Sequence, residues 1–510
     1  MTKNRELRSS LAERGQKSVD VLIVGAGISG IGLASHLTRR LPEKSFQIVE
    51  ARENIGGTWD LFRYPGVRSD SDLHTLGYEF KPWTGDSAIA DGSEIVDYLH
   101  ETVQEYGLSP HLRLGWKAVS ADWSSERGRW TVQLLNVASG ENATVDCQWL
   151  FGATGYYDYD EGYRPLFENE EQFTGQIIHP QHWPEDLDFS GKNVVIIGSG
   201  ATAITMVPAM AEKAAHVTML QRSPSYVIPI PGQDPIANNL RRILPDQLAY
   251  RITRRMNRAR LATIVAISEN YPAVARRIIR WVNKLALPKG YPVDEHFKPR
   301  YNPWEERMCM VRDGDLFKAI RNGKASVVTD RTARFTERGI ELASGKHLDA
   351  DIVVTATGLK LMPLRAVSFC VDGRPVDVAD TVVYKSTMLS GVPNFAFAFG
   401  YTVASWTLKV DLACEHFCRL VAHADARGLD IAVPVADDPA VEVRPMLDFQ
   451  AGYVQRVADT LPRQGSHGPW SMEQSYKVDR DRLRRGPVED PALQFSRIPA
   501  ESDLALPSHA

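Results

Sequence analysis

The chain has 510 residues, of which 43% are hydrophobic and 24% charged, and its formal net charge is −4. A chain of this length exceeds one compact core, so we expect two or three domains. The small negative charge argues against a dedicated nucleic-acid-binding protein, because such a protein needs a basic excess to neutralise phosphates.

The cysteines are few and odd in number for this length: Cys147, Cys309, Cys370, Cys414 and Cys418. This usage indicates a reducing compartment and no disulfide framework. Cys414 and Cys418 lie four residues apart in a helical pattern, and therefore on one helix face. Because no second pair stands at ligand spacing, we expect both to pack in the core, and the sequence predicts no metal site.

The N-terminal arm, MTKNRELRSSLAERGQKSVD, is polar and lacks the apolar core of a secretory signal. The sequence contains no apolar run of the roughly eighteen residues that a membrane-spanning helix needs. We therefore expect a cytoplasmic protein.

A strand, a glycine-rich turn and a helix follow this arm. VDVLIV predicts a buried strand and leads directly into Gly25-x-Gly27-x-x-Gly30, with Ser29 in the turn, and then into the helical pattern of ISGIGLASHLTRRL. A second strand, SFQIVE, ends on Glu50. The glycines permit a tight turn, a close approach of pyrophosphate and close helix–strand packing, while Glu50 accepts hydrogen bonds from a ribose diol. The unit therefore predicts binding of a dinucleotide with a free ribose, such as FAD.

The same unit recurs in NVVIIGSGATAITMVPAMAEKAAHVTMLQRSP. Its predicted nucleotide-binding residues are Gly198, Ser199, Gly200, Ala201, Thr202, Ala203, Arg222 and Ser223. Arg222 replaces the acidic residue of the first unit and can pair with a 2′-phosphate, so this unit favours NADP over NAD. The alternative is a solvated charge at the end of a strand.

Two Ala-Thr-Gly turns, at 153–155 and 356–358, each follow an apolar strand and suit a close approach to a bound dinucleotide. They indicate that the second unit is inserted into the first. The sequence thus predicts an α/β fold with two Rossmann-like dinucleotide-binding domains, for FAD and NADP, and a helical insertion. The predicted segments are 1–155 and 359–510 for the FAD-binding domain with the C-terminal tail, 156–230 and 301–358 for the NADP-binding domain, and 231–300 for the helical subdomain.

The window FTGQIIHPQHWP, with Phe173, Gly175, His179, Trp183 and Pro184, matches Phe-x-Gly-x-x-x-His-x-x-x-Trp-Pro at every position. That pattern is the fingerprint of the flavin-dependent Baeyer–Villiger monooxygenases. The segments ENIGGTWDLFRYPGVRSDSDLHTLGYEFKPWTG and YNPWEERMCMVRDGDLFKAIRNGK also resemble this family, in particular its ethionamide-activating subgroup.

The resemblance implies a reaction and its cofactors. A member of this family binds FAD, takes electrons from NADPH and inserts one oxygen atom of O2 beside a ketone carbonyl, giving an ester or lactone. Many members also oxidise sulfides, so a small-molecule ketone or sulfide is the expected substrate. Two alternatives stay open, a sulfur or nitrogen monooxygenase and a flavin- and NADP-binding redox protein without oxygenation.

The resemblance also assigns site residues. It places Arg307 as the catalytic cation and Asp70 as the carboxylate that orients it. It assigns the flavin-contacting loop to Gly57, Thr58, Trp59, Asp60 and Leu61, and the meeting point of the two cofactors to Arg68, Ser69 and Asp70. The other readings are an ion pair of Arg307 with Glu305 or Glu306, and Asp70 as the N-cap of a helix in SDLHTLGYEF.

For His179 the resemblance implies coupling of the two domains, with a structural role or direct proton transfer as alternatives. The chain departs from many relatives at Glu306, where they carry a lysine that helps to bind the 2′-phosphate, so the preference for NADPH rests on Arg222 and Ser223.

Residues 231–300 contain repeated basic helical patterns in which arginines stand beside Leu, Ile and Trp. They predict either peripheral association with an anionic membrane or solvated helix faces over the pocket. The oligomeric state is not indicated by the sequence.

Overall fold

The computed structural model describes residues 18–306, 308–362, 364, 367–447 and 452–498. The N-terminal arm up to residue 17, Arg307 and the end of the C-terminal tail lie outside this part. The helices are α1 (Ile28–Arg40), α2 (Thr58–Leu61), α3 (Leu73–Leu76), α4 (Gly92–Glu105), α5 (Ala201–Ala211), α6 (Pro235–Ile243), α7 (Asp246–Asn270), α8 (Pro272–Ala286), α9 (Val293–His296), α10 (Asp315–Arg321), α11 (Trp406–Arg427), α12 (Gly452–Gln455) and α13 (Tyr476–Asp479).

The strands are β1 (Ser18–Val24), β2 (Phe46–Glu50), β3 (Leu112–Leu114), β4 (Trp116–Ser124), β5 (Arg129–Asn136), β6 (Asn142–Gly152), β7 (Tyr157–Gly162), β8 (Gln176–Ile178), β9 (Asn193–Ile197), β10 (His216–Gln221), β11 (Val227–Ile230), β12 (Cys309–Arg312), β13 (Ala325–Thr329), β14 (Thr332–Thr336), β15 (Gly339–Leu342), β16 (His347–Asp349), β17 (Ile352–Thr355), β18 (Leu359–Leu361), β19 (Ser368–Val371), β20 (Arg374–Val376), β21 (Val383–Tyr384), β22 (Met388–Leu389), β23 (Phe395–Phe397), β24 (Ile431–Pro434), β25 (Val443–Pro445), β26 (Arg463–Gly465) and β27 (Leu493–Ser496).

The first dinucleotide unit builds one large sheet in the order β20-β19-β4-β5-β6-β1-β2-β3, and β23 also pairs with β6. Its centre is parallel, since β1 pairs in parallel with both β2 and β6. Val21, Leu22 and Ile23 of β1 are fully buried, because helices and strands cover both faces of a central parallel strand. On one face α1 packs against α11, where Cys414 and Cys418 are buried as predicted.

The second unit builds a five-stranded sheet in the order β13-β10-β9-β17-β8, with all neighbours parallel. Both segments predicted for the NADP-binding domain contribute strands to it, since β17 comes from the second segment and lies between β9 and β8. After β17 the chain returns to the first sheet as β19, which pairs with β4. The division of the chain into domains stays a prediction.

The two crossovers between the sheets pair with each other. β7 leaves the first sheet after β6, β18 leaves the second sheet after β17, and the two form an antiparallel ribbon. This ribbon therefore joins the two units at one place.

The helical insertion consists mainly of α6, α7 and α8. α7 packs against α3 of the first unit and against α6 and α8. Among the described residues, no helix is long and apolar enough to cross a membrane.

Candidate active site between two dinucleotide-binding units

The glycine turn of the first unit fits tightly against the chain behind it. Gly25 has φ +109°, and a Cβ atom there would lie 2.5 Å from the carbonyl oxygen of Ala153. A Cβ atom at Gly30 would lie 1.9 Å from the carbonyl oxygen of Gly25. Only glycine meets these two requirements, so the turn brings the N-terminus of α1 against the first Ala-Thr-Gly segment.

Glu50 holds this turn in place. Its Oε2 atom accepts a hydrogen bond from the backbone N–H of Ala26 at 2.7 Å, and Oε1 accepts one from that of Arg52 at 3.0 Å. Burial raises the pKa of the Glu50 carboxyl, and these backbone donors act in the opposite direction. The carboxylate is therefore fixed at the end of β2, the position from which an acidic residue reaches a ribose diol.

The second turn repeats the arrangement. Gly198 has φ +147°, and a Cβ atom there would lie 2.3 Å from the carbonyl oxygen of Ala356, in the second Ala-Thr-Gly segment. Gly200 is the N-cap of α5 with φ −84°. Nothing lies within 4 Å of a Cβ atom built on Gly200, so the N-terminus of α5 is open. An open helix N-terminus of this kind binds pyrophosphate through its free N–H groups.

One cavity of about 540 Å³ extends from the first glycine turn to the first residues of α5. Many of the predicted cofactor-binding residues line it, namely Gly25, Gly27, Ser29, Glu50, Gly57, Thr58, Trp59, Arg68, Ser69, Asp70, Ala201 and Thr202. The N-termini of α1 and α5 therefore open on the same space.

Aromatic side chains form much of the remaining wall. Trp406 stacks on Tyr156 with ring centroids 4.9 Å apart and donates from Nε1 to Ser29 Oγ at 2.9 Å. Tyr159 and Thr58 share a hydrogen bond of 3.1 Å between their hydroxyl groups, and Phe399 packs beside Trp406. Sequence patterns did not single out Tyr156, Tyr159 or Phe399, because nothing local distinguishes them from core aromatics.

Other predicted residues lie away from this cavity: Gly30, Asp60, Leu61, Gly198, Ser199, Gly200, Ala203, Arg222 and Ser223. Asp60 is buried and pairs with Arg52 at 2.6 Å and with Arg63 at 2.5 Å. It therefore holds Arg52, which does line the cavity. Ser199 shares a hydrogen bond of 2.9 Å with Ser225 beyond the end of β10.

Arg68 links the first unit to the second. Its Nη1 atom donates to Asp315 Oδ2 at 2.5 Å, and the arginine side chain is only 5% exposed. Asp315 begins α10, which packs against α5 and β13 of the second unit. The ion pair therefore lies at the boundary between the two units and beside the cavity.

Asp70 lies on the cavity wall close to Tyr64 and Arg68. The negative charge of Asp70 adds to burial in raising the pKa of Tyr64 to about 12, while a hydrogen bond from Thr202 acts against it. The N-cap of α3 is Asp72, whose side chain accepts from the N–H of Thr75. The reading of Asp70 as that N-cap is therefore wrong.

These residues fit bound dinucleotides. Three buried polar atoms on the cavity-lining residues lack a hydrogen-bond partner among the described residues: Arg52 Nε, Arg68 Nη2 and Thr154 Oγ1. Buried polar atoms in native proteins are nearly always paired, so these atoms indicate a polar ligand in the cavity. Two glycine cradles, a fixed carboxylate and two open helix N-termini supply what FAD and NADP(H) require.

The fingerprint histidine contacts both crossovers. His179 Nδ1 accepts from the N–H of Gln181 at 3.3 Å, so its proton is on Nε2, 3.3 Å from the carbonyl oxygen of Gly358. Burial lowers the pKa of His179, which keeps the ring neutral. The ring lies flat against Gly162, where an added Cβ atom would be 2.0 Å from Cε1. Gly162 ends β7 and Gly358 directly precedes β18.

The other fingerprint residues fix this segment on the second sheet. Phe173 is buried in an edge-to-face contact with Phe335, and Trp183 makes the same kind of contact with Phe189. A Cβ atom at Gly175 would lie 2.3 Å from the carbonyl oxygen of Asp351, whereas Pro184 is exposed. None of the five residues lines the cavity.

Arg307 lies outside the described residues, but its neighbours are placed. Glu305 accepts hydrogen bonds from the backbone and side chain of Asn302, at 2.8 and 2.7 Å. Burial raises the pKa of Glu306, and the positive charge of Arg222 lowers it. Glu306 therefore lies within electrostatic reach of the arginine predicted to bind the 2′-phosphate.

The fold and the site define a flavoprotein with two dinucleotide-binding units. Residues 23–83 match an NAD(P)-binding Rossmann-like domain, and residues 86–362, more than half of the chain, match the flavin-binding monooxygenase-like family. The chain belongs to this family. The predicted fold class, the predicted FAD and NADP(H) cofactors and the predicted class of enzyme, an NADPH-dependent flavin monooxygenase, are confirmed.

Two curated relatives cover almost the whole chain. The FAD-containing monooxygenase EthA of Mycobacterium tuberculosis is 51% identical over 483 residues, which is 94% of this chain and 98% of the relative. The probable FAD-binding monooxygenase AlmA of Acinetobacter baylyi is 47% identical over 484 residues, 94% and 97% of the two chains.

Solved structures share the fold. An oxidised steroid monooxygenase bound to NADP superposes with a TM-score of 0.73 at 23% identity, covering 94% of this chain and 100% of that one. An open structure of cyclohexanone monooxygenase also gives a TM-score of 0.73, at 18% identity, covering 94% and 99%. At these identities the likeness concerns the fold alone.

Proposed function

We propose that the protein is a Baeyer–Villiger monooxygenase, which uses FAD, NADPH and O2 to insert one oxygen atom beside a ketone carbonyl and releases an ester or lactone. The observation that carries this proposal is the cavity onto which the N-termini of α1 and α5 both open. A complete Baeyer–Villiger fingerprint supports the proposal, and the histidine of this fingerprint contacts both crossovers. The 51% identity to the FAD-containing monooxygenase EthA supports an FAD-dependent oxygenation.

The chain's residues have distinct tasks in this proposal. When bound, NADPH supplies a hydride and FAD supplies the activation of O2. Gly25, Gly27 and Glu50 hold the FAD pyrophosphate and ribose, and the N-terminus of α5 holds the NADP pyrophosphate. Arg222 and Ser223 bind the 2′-phosphate at the end of β10. We assign residues 1–155 and 359–510 to FAD and residues 156–230 and 301–358 to NADP.

Arg307 is the proposed cationic residue of the reaction. An arginine stays protonated at any working pH, so its guanidinium can stabilise the oxyanion that develops on the substrate carbonyl without losing a proton. Asp70, on the cavity wall, is the proposed carboxylate that orients this guanidinium. For Arg307 the proposal rests on the sequence motif.

The aromatic wall has a second task. Tyr156, Phe399 and Trp406 present apolar ring surface to the cavity and exclude water, which strengthens the effect of a fixed cation on developing charge. A cavity of this kind accepts a ketone or a thioether of moderate size. We therefore include sulfide oxidation in the proposed activity.

The experiment is an aerobic incubation of the FAD-loaded enzyme with NADPH, labelled O2 and a panel of ketones and thioethers, with products identified by mass. We expect an ester or lactone carrying one labelled oxygen atom. Arg307→Ala should abolish ester formation while the protein retains FAD. Sulfoxide as the sole oxygenated product would instead assign a heteroatom monooxygenase, and product formation by Arg307→Ala would refute the proposed mechanism.

As a monooxygenase the protein acts on a small molecule and O2. We also propose that it associates peripherally with a membrane, because basic and apolar side chains occur together on the helical insertion.

A further inference from the structure

Exposed apolar side chains are concentrated on the helical insertion. Of the fifteen exposed large hydrophobic residues in the described part of the chain, eleven lie between residues 236 and 285. They are Ile236, Ile243, Leu248, Met256, Ile264, Ile267, Tyr271, Val274, Ile278, Trp281 and Leu285. Single exposed apolar residues are common, but such a concentration marks an interaction surface.

The helix α7 buries several polar side chains on its inner face. Tyr250, Thr253, Arg254 and Asn257 are buried on its inner face. Arg254 pairs with Asp411 at 3.1 Å and donates to three carbonyl oxygens around α3, those of His74, Thr75 and Gly77. Polar contacts therefore attach α7 to the body of the protein, and its exposed apolar residues are left for another partner.

The helix α8 also exposes apolar side chains on its outer face. Val274, Ile278, Trp281 and Leu285 recur every three or four residues and are exposed, so they form one continuous stripe on the outer face. The inner face carries Ala275, Ile279 and Asn283. A tryptophan in such a stripe suits the boundary between lipid headgroups and acyl chains, where an amphipathic ring is partly solvated.

The charge of this region is opposite to that of the whole protein. Residues 235–290 contain twelve Lys or Arg and two Asp or Glu, a net charge of +10, whereas the chain carries −4. Eight of these cations are exposed and form no ion pair with any described carboxylate: Arg242, Arg251, Arg255, Arg260, Arg276, Arg277, Lys284 and Lys289. Basic residues beside an apolar stripe are complementary to an anionic lipid surface.

We propose that α7 and α8 form a docking surface for an anionic phospholipid membrane, with the apolar side chains around residues 264–285 in the headgroup–acyl boundary and the exposed arginines against lipid phosphates. This deepens the peripheral association proposed above and is independent of the reaction, because no residue of α6, α7 or α8 lines the cavity. The surface, residues 236–285, is called the basic–apolar surface below.

The test is flotation of the FAD-loaded enzyme with vesicles of phosphatidylcholine alone, or of phosphatidylcholine and phosphatidylglycerol in equal parts. We expect flotation with the anionic vesicles, much less with the neutral ones, and a decrease as salt is raised. Ile278→Ser combined with Trp281→Ser should lower the vesicle partition coefficient by about tenfold or more, because two apolar side chains that would enter the bilayer are removed. Arg260→Gln combined with Arg277→Gln should lower it by about 25-fold, at roughly fivefold per cation.

The matched control is Leu166→Ser, since Leu166 is 98% exposed and lies outside the basic–apolar surface. It should partition as the unchanged enzyme does. All variants should keep FAD and their rate of NADPH oxidation. If the Ile278→Ser, Trp281→Ser variant does not fold, the Arg260→Gln, Arg277→Gln variant still tests the proposal.

Three outcomes would overturn the proposal. If the enzyme does not float with anionic vesicles, peripheral association and this surface both fail, while the oxygenation assay is unaffected. If the enzyme floats but both double variants float equally well, association stands and this surface is wrong. If the double variants instead convert an oligomer into a monomer in light scattering without changing flotation, the surface joins two copies of the chain.

Discussion

The Nε2 atom of His179 lies 3.3 Å from the carbonyl oxygen of Gly358, at the start of the crossover β18. The same ring is packed against Gly162 at the end of the other crossover, β7. Because these two segments carry the chain between the sheets, one imidazole fixes both connections. The ring lies outside the cavity, so this geometry favours the coupling role over direct proton transfer.

Replacement of His179 should therefore disturb the alignment of the two cofactors and leave each site intact. For His179→Ala we expect the rate of flavin reduction by NADPH to fall about tenfold, since small misplacements of reacting groups are costly. The FAD content should not change. Stopped-flow absorbance at the flavin band measures the rate.

The control for this prediction is His182→Ala. His182 makes a similar contact, with Nε2 3.0 Å from the carbonyl oxygen of Asp160 in β7. Unlike His179, His182 is exposed and has no such contact with β18 in the described part of the chain. We expect a change of less than about twofold. An equal loss in both variants would point to general loosening of the segment, and no loss in His179→Ala would exclude a coupling role.

Substitution of the two glycines of the second turn should have different effects, one on cofactor binding and the other on stability. Gly200 has φ −84° and open space around a built Cβ atom, so Gly200→Ala should fold normally. The added methyl group would occupy the space that the NADP pyrophosphate needs, and the KM for NADPH should rise at least about tenfold. Gly198→Ala should instead lower the free energy of unfolding by about 1–3 kcal/mol, because its φ of +147° and the nearby carbonyl of Ala356 exclude a side chain.

Denaturant unfolding and NADPH kinetics on the two variants check this prediction. A normal KM for NADPH in Gly200→Ala would remove the second turn from the NADP site. A loss of stability in that variant would show that the N-terminus of α5 is more crowded than its geometry indicates.

Glu306 should weaken the preference for NADPH. Its carboxylate lies near Arg222, and the two interact electrostatically. A negative charge there opposes a 2′-phosphate, so Glu306→Lys should raise kcat/KM for NADPH by about tenfold and Glu306→Gln by less. NADH kinetics should stay unchanged in both, since NADH has no 2′-phosphate. Equal effects on NADH and NADPH would place Glu306 at some other part of the cofactor.

The glycine turns could be predicted from the sequence because their requirements are local. Strand, turn and helix are contiguous, and Gly25 and Gly198 both have the positive φ that the pattern requires. The position of Glu50 at the end of β2 could likewise be predicted from the sequence. Its hydrogen bond to Ala26 is a tertiary detail, yet it follows from the same unit.

Other features depend on contacts between distant segments. Arg68 and Asp315 are 247 residues apart in sequence, and no local pattern pairs them. Asp60 stands in the motif of a cofactor loop, but Arg52 and Arg63 surround its carboxylate. Asp72 rather than Asp70 caps α3. The residue at which a helix begins determines which side chain can accept from its third N–H group, and the sequence offered more than one such start.

The orientation of α7 could not be predicted for a related reason. Its sequence mixes arginines with apolar residues on several faces, so periodicity does not tell which face is inward. The structure buries Arg254, through its ion pair with Asp411, and exposes Arg251 and Arg255 together with apolar residues. A buried ion pair of this kind is set by the partner helix α11, which the local sequence does not contain.

His416 gives the protein a predictable sensitivity to acid. Its ring is fully buried on α11, with Nδ1 3.2 Å from the carbonyl oxygen of Leu483. Burial, followed by the positive charges of Lys385 and Arg419, lowers the pKa of His416 to about 3. Because an unfolded histidine titrates near 6.5, the unfolded state binds the proton first as the pH falls.

The stabilisation is therefore complete above about pH 6.5 and is lost progressively as the pH falls from there toward 3. At pH 5.5 the loss should be about 1.4 kcal/mol in the free energy of unfolding. His416→Asn, which keeps a side-chain N–H for the Leu483 carbonyl, should remove this part of the pH dependence. Urea unfolding of this variant and of the unchanged protein at several pH values between 7.5 and 5.5 measures the pH dependence of the free energy of unfolding. This range of about two pH units is enough to resolve the slope. His423→Asn, on the same helix but paired with Glu489 near the surface, is the control, and an unchanged slope in His416→Asn would mean that His416 is not the group that titrates.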